Sequence, residues 1–213
     1  MSAPAWLAGE LLRFAWRLAE RLAPVPLVVR LIRRFLALIR RAPVVIRPPS
    51  AWLAGSTRRW HTNPVFASTD DRVDAHSARV AILILQFRPL APAALLRAAI
   101  VHDLGENSVG DLALPVKREN PGLYAALEGL EGEALHAMGF DIPAHVLGAP
   151  ERDLLHLCDG LDAYLWAAFH RPDFVRARDD WRAMFAGLQS RADALGVRPK
   201  FNEIVEGVCN GKF

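Results

Sequence analysis

"AAIVHDLGENSVGDLALPVK", residues 98–117, is the stretch on which the reading of this chain turns. Ala98-Ala99-Ile100-Val101 is an apolar run that leads straight into His102-Asp103, and Glu106, Asp111 and Lys117 follow at short intervals. Leu95 and Leu96 fall one turn before Ala99 and Ile100, so these four are expected to face inward. His102 and Asp103 then continue the same stripe at the end of a helix over about 91–103. An imidazole beside a carboxylate in that place has two readings. It is a helix terminus followed by a polar loop, or it is part of a metal centre.

Outward from this stretch the chain reads as all-α. Alternation of strand type is nearly absent from about residue 51 onward, and helical periods recur with loops between them. Helices are expected near 51–58, 72–87, 91–103, 120–138, 150–170 and 174–195, with a short one near 201–208. On the helix 72–87, Val73, His76, Val80, Leu83, Ile84 and Phe87 are three or four residues apart, which puts His76 on the buried stripe. In "LLHLCDGLDAYLWA", residues 154–167, Leu155, Asp159 and Trp166 share a face, so Asp159 is a carboxylate on an apolar stripe. A lone histidine on such a stripe is more often a hydrogen-bonded core residue than a ligand. Four groups change that balance. His76, His102, Asp103 and Asp159 would each be costly to bury alone, and one divalent cation satisfies them together. Two neutral imidazoles and two carboxylates cancel a charge of +2. Mixed nitrogen and oxygen ligation suits Mn, Fe, Co, Ni or Zn and is unlike the all-oxygen sets of Ca or Mg.

Composition bounds the rest. The chain has 213 residues, 52% of them hydrophobic and 23% charged, a globular balance with ample length for a core. Two cysteines, Cys158 and Cys209, form no disulfide framework and no cysteine-based metal spacing, and are expected to be reduced thiols in a cytoplasmic protein. The net charge of +3 is uneven: residues 1–50 hold nine arginines against two glutamates, so +7 sits there and the remainder carries −4. An acidic body argues against nucleic acid as a partner.

Residues 1–50 read as a basic amphipathic extension and residues 51–213 as the domain. Prolines at 24, 26, 43, 48 and 49 divide the extension into two short helices and a linker. No run in it approaches the roughly 20 apolar residues of a membrane span. A cleavable signal peptide is not expected, because Glu10, Arg13 and Arg17 interrupt the apolar core it would need. Three readings stay open: a helical hairpin packed on the domain, a peripheral membrane contact, or a poorly ordered tail.

The motifs carry a resemblance. "RRWHTNP" at 58–64, "VDAHS" at 73–77, "HDLGENSVGDLALPVK" at 102–117 and "DGLDAYL" at 159–165 resemble the HD-domain phosphohydrolase superfamily. Within it they are similar to bacterial 5′-deoxynucleotidases and to small dNTP triphosphohydrolases, over about residues 55–170. The resemblance implies a compact helical bundle holding one metal that hydrolyses phosphate esters of deoxynucleotides. It implies His76, His102, Asp103 and Asp159 as ligands. Glu106 would orient or deprotonate the attacking water, with Asp111 as its partner at the leaving 5′-oxygen or the sugar. Read without the resemblance, Glu106 and Asp111 are a solvated loop. By the same likeness Arg59 lies near the phosphate and Trp60 packs by the sugar, where a tight wall would exclude a 2′-hydroxyl. Surface charge and a core anchor are the competing readings of that pair. Lys117 is the weakest substrate contact. A homodimer is expected on analogy with related nucleotidases.

Two departures stand out. The family's usual glutamate before the first histidine is Ala75 here, with Asp74 adjacent as its substitute. Glu106 stands where two-metal phosphodiesterases of the HD-x-G-K form carry lysine, so cyclic-dinucleotide cleavage is not expected. His61, His136, His145, His156 and His170 are read as ordinary residues. The expected activity is removal of the 5′-phosphate of deoxynucleoside monophosphates. The alternatives are a dNTP triphosphohydrolase and a catalytically weak HD nucleotide-binding module.

Overall fold

A computed structural model describes residues 50–110, 119–141 and 146–209. The extension expected over 1–50, save Ser50, lies outside these residues, as do Asp111, Lys117 and His145. Among the described residues there are eight α-helices, one 3-10 turn and no strand, and the all-α expectation holds. The order is α1 (Ala51–Ala54), α2 (Val73–Phe87), α3 (Ala93–Val101), the 3-10 turn Leu104–Ser108, α4 (Pro121–Ala137), α5 (Ala149–His170), α6 (Pro172–Ala177), α7 (Asp179–Ala194) and α8 (Arg198–Cys209).

Helix α5 is the axis. Pro150 in its first turn, Glu151 beside it and His170 in its last turn suit the two ends of a helix dipole. Its buried residues run nearly all round it, from Leu154, Leu157 and Cys158 to Leu161, Leu165 and Ala167, which is what a helix enclosed by neighbours requires. Helices α2, α3, α6, α7 and α8 pack on it. The main core gathers Val80 and Ile84 of α2, Leu95 of α3, Leu157 and Leu161 of α5, Leu188 of α7 and Phe201 of α8. Each such side chain, once buried, contributes about 1.5–3 kcal/mol. At Gly160 a Cβ would lie 2.9 Å from Leu188 Cδ2, so glycine lets α7 approach α5.

A second cluster joins Ala54, Val73, Val101, Leu104 and Leu135 beneath the 3-10 turn. There Gly105 runs against α4: a Cβ would stand 2.5 Å from the carbonyl oxygen of Glu131. Only a residue without a side chain allows that approach. A third cluster is aromatic. Phe66 is flanked by Trp60 at 5.2 Å, Phe174 at 5.6 Å and Trp181 at 5.7 Å between ring centroids.

Three expectations about elements are corrected. The helix read as 174–195 is two helices, because Arg178 is extended (φ −109°, ψ 135°) and caps α7. Asp179 and Asp180 start the new helix, with Arg178 Nε and Nη2 donating to Asp180 at 2.9 and 2.8 Å. The helix read as 91–103 stops at Val101. Its inward set is Leu95, Ala98, Ala99 and Val101, whereas Ile100, expected to face inward, is 53% exposed. The chain then turns at Asp103 (φ −101°, ψ 0°) into the 3-10 turn. The first helix covers Ala51–Ala54, short of the expected 51–58.

Candidate metal centre

The loop from Gly55 to Arg72 positions the site through the start of α2. The first amides of a helix have no partner within it. In α2 they find one in the loop: Val73 N–H donates to Thr57 O at 3.0 Å and Asp74 N–H to Gly55 O at 2.9 Å. Arg59 N–H donates to Asp71 O at 3.1 Å, which holds Arg59 beside the helix that carries His76. Trp60 follows with φ 62°, an uncommon backbone state for a bulky residue. Its indole Nε1 donates to Asp71 Oδ2 at 3.0 Å.

His76 from α2, His102 and Asp103 at the end of α3, and Asp159 from α5 converge. One ligand atom from each lies within 4.8 Å of all the others. His76 Nε2 is 3.2 Å from Asp103 Oδ2 and 3.2 Å from Asp159 Oδ1. His102 Nε2 is 3.3 Å from Asp103 Oδ1 and 3.8 Å from Asp159 Oδ1. Despite those distances, neither buried Nε2 makes a hydrogen bond. The opposite ring nitrogens are committed. His76 Nδ1 donates to Asp162 Oδ2 at 2.7 Å and His102 Nδ1 to Ala99 O at 2.8 Å. A carboxylate and a carbonyl only accept, so both imidazoles carry hydrogen on Nδ1 and, when neutral, present the Nε2 lone pair to the cluster. Two such lone pairs and two carboxylates fit a divalent cation, and the four residues could hold one. The side chain of Asp159, 42% exposed, forms the open side of the cluster.

Charge is arranged to match. Burial opposes a proton on His76, yet Asp103, Asp159 and Asp162 raise its pKa well above the usual value. His102 is raised in the same way, against burial, by Asp103 and Asp159. Burial opposes the charge of Asp103, but His102 and His76 bring its pKa down to about 2; Asp159 is lowered by the same two residues. Arg59 is nearly buried. Desolvation works against its charge, and Asp103, Asp159, Asp71 and Glu106 outweigh it and raise the pKa. A guanidinium thus lies in the field of the cluster's carboxylates. Glu106, on the 3-10 turn, is buried.

Of the residues singled out from sequence, His76, His102, Asp103 and Asp159 come together, and Arg59 and Glu106 border them. Trp60 is both a core anchor and part of the loop that carries Arg59. Arg58 is surface charge, paired with Asp70 at 3.1 Å. Asp74 does not substitute for a glutamate at position 75. It is exposed, near Arg72 at 3.5 Å, and accepts from the adjacent Ala75 N–H at 2.8 Å. The partner of His76 is Asp162, a residue the sequence reading passed over. Its signal was spacing, since Asp162 follows Asp159 by three residues and shares its side of α5. Arg79 follows His76 by three in the same way. Asp71, at the end of a loop, carries no periodic signal.

No protein-family model, no curated protein and no solved structure matches this chain.

Proposed function

We propose that this chain is a metal-dependent phosphohydrolase of the HD type that removes the 5′-phosphate of deoxynucleoside monophosphates. One observation carries the reading. Two buried Nε2 atoms, each fixed by a committed Nδ1, face two carboxylates beside a nearly buried guanidinium. His76, His102, Asp103 and Asp159 would hold the cation. When bound, it would polarise a phosphoryl oxygen and lower the pKa of a water.

The chain's own groups supply the remaining needs of the reaction. The four ligands already neutralise a divalent charge, so a phosphate entering the open side at Asp159 requires a further cation. Arg59 meets that need with a fork suited to phosphate oxygens. Glu106 is the base: it takes a proton from the attacking water as oxygen bonds to phosphorus and the bond to the 5′-oxygen breaks. That oxygen must gain a proton as it leaves, and Asp111 is the group assigned to the step. Trp60, backed by Phe66 and Trp181, is the wall against which a sugar without a 2′-hydroxyl packs. Lys117 adds charge at the substrate. As partners we propose the deoxynucleotide, a second copy of the chain in a homodimer, and an anionic membrane surface for residues 1–50. The proposed setting is the cytoplasm. Among the described residues no helix is long and apolar enough to cross a membrane.

The test is phosphate release from dNMPs, NMPs and dNTPs with Mn, Co or Zn, run beside Asp103→Ala. Monophosphate release by wild type alone is expected. Release of triphosphate would shift the assignment to the dNTP reaction, and unchanged activity in Asp103→Ala would end the metal mechanism.

A further inference from the structure

Arg79 stands one turn after His76 on α2, and its hydrogen bonds go to neither Asp103 nor Asp159. Its guanidinium nevertheless joins two buried anions. Nε donates to Asp162 Oδ1 at 2.7 Å, and Nη2 donates to Asp162 Oδ2 at 2.9 Å and Asp71 Oδ1 at 2.8 Å. The group lies over the Trp166 ring, 4.4 Å from its centroid. Trp166 is itself fixed by donation from Nε1 to Thr69 Oγ1 at 3.0 Å. The side chains of Asp71 and Asp162 are 0% and 5% exposed, so each relies on its donors to offset the cost of burial.

The other contacts of those carboxylates lead to the site. Asp162 Oδ2 accepts from His76 Nδ1 at 2.7 Å. Asp71 Oδ2 accepts from Arg59 Nη1 at 3.2 Å and from Trp60 Nε1 at 3.0 Å. Arg59 Nη1 also lies 3.7 Å from Asp162 Oδ2. The metal-facing imidazole and the anion-facing guanidinium therefore hang from one frame, whose shared donor is Arg79.

We infer that Arg79 is a positioning residue that couples cation binding to anion binding. By pinning Asp162 it holds His76 Nε2 toward the ligand cluster, and by occupying Asp71 it keeps Arg59 from being gripped away from the substrate. The inference rests on the reading of His76 as a ligand and Arg59 as a phosphate contact. Without Arg79, Asp162 Oδ1 and Asp71 Oδ1 both lose their donor. Arg59 is the nearest cation to the two carboxylates and would swing into the space between them. One substitution that touches neither ligand would then weaken both.

The experiment uses the full chain, with Co(II) and inorganic phosphate as probes. Cobalt affinity is read from visible absorption, and phosphate affinity of the cobalt-loaded protein from calorimetry. In Arg79→Ala, cobalt affinity is expected to fall, by no more than the roughly 10- to 100-fold that losing a direct outer partner such as Asp162 costs, and phosphate affinity to fall with it. Arg79→Lys keeps the charge but lacks the planar fork that serves both oxygens of Asp162 and one of Asp71 together, and is expected to recover only part of either affinity. It carries the comparison if Arg79→Ala does not fold.

Arg79 is 30% exposed and lines an open groove with Trp166, Phe169 and Lys200. Methylguanidinium can therefore reach the space left in Arg79→Ala and is expected to restore both affinities, whereas methylammonium is not. Unchanged affinities in a folded variant would overturn the inference, and so would losses that methylguanidinium leaves in place. Wild type that binds cobalt and phosphate yet hydrolyses no deoxynucleotide would remove the proposed activity alone, with the two affinities still deciding the role of Arg79.

Discussion

Replacing Asp103 by asparagine tests the centre most directly, because it keeps the shape and removes the charge. Asp103 sets one oxygen against each imidazole, Oδ2 3.2 Å from His76 Nε2 and Oδ1 3.3 Å from His102 Nε2. With Asp159 it supplies the two negative charges that balance a divalent ion. The Asp103→Asn amide would leave half of that compensation and a poorer oxygen ligand. Loss of an outer partner of a ligand costs about 10- to 100-fold in affinity, so loss of a ligand charge should cost at least the upper figure. The readout is the cobalt-induced gain in melting temperature. At a free metal concentration of about 100 Kd, a native-state ligand adds about 2.7 kcal/mol. For a chain of this size that corresponds to about 5–11 °C in Tm. For Asp103→Asn at the same cobalt concentration, a 100-fold weaker site adds only about 0.4 kcal/mol, or about 1–2 °C. Each protein is compared with itself with and without cobalt, so any intrinsic effect of the substitution cancels. A variant that kept more than half of the wild-type gain, or a wild type that gained nothing, would refute the assignment of the four ligands.

Other consequences follow from particular contacts. Gly105→Ala would drive a Cβ to 2.5 Å from Glu131 O, a backbone atom that cannot step aside. A loss of about 1–3 kcal/mol is expected, with lower activity because Glu106 is displaced, and unchanged melting and turnover would contradict the packing. Arg59→Ala should raise KM for a monophosphate by about 10- to 100-fold, the worth of a charged hydrogen bond, while cobalt affinity changes less; steady-state kinetics and cobalt titration separate the two. The pKa values of His76 and His102 are raised by their carboxylates, so a cation competes with protons there. Cobalt affinity should rise with pH, and without metal the stabilisation from the two imidazoles is full below their unfolded pKa and is lost as pH rises through the folded values. Melting between roughly pH 6 and 9 with and without cobalt checks the sign, and a flat metal-free profile would contradict it. Burial raises the Cys158 thiol while Cys209 is exposed, so a thiol reagent should label one cysteine per native chain and two in denaturant.

How far the site could be read in one dimension differs residue by residue. His76 and Asp159 announce themselves, because a polar group at a position where period 3.6 demands an apolar one is an anomaly visible without coordinates. His102-Asp103 is visible as the polar end of an apolar run, although the period points Ile100 inward and the packed helix turns it to solvent. The split between α6 and α7 was also written in the chain, as Asp179-Asp180 behind an arginine, but periodicity continues across it and masks the signal. Asp71 could not be found this way. Its importance lies in three donors from residues 59, 60 and 79, and nothing in a linear pattern reports which groups a loop end will meet.

By itself, the sequence determined the helical class, the inward placement of His76, and the residue types of the His/Asp cluster, because these depend on local periodicity and on the cost of burying polar groups. Only the tertiary structure decided which nitrogen of each imidazole faces the cluster, and that Asp162 and the Ala99 carbonyl hold the two rings there. Those outcomes depend on hydrogen bonds between residues up to 86 positions apart, and such bonds exist only once α2, α3 and α5 have packed together.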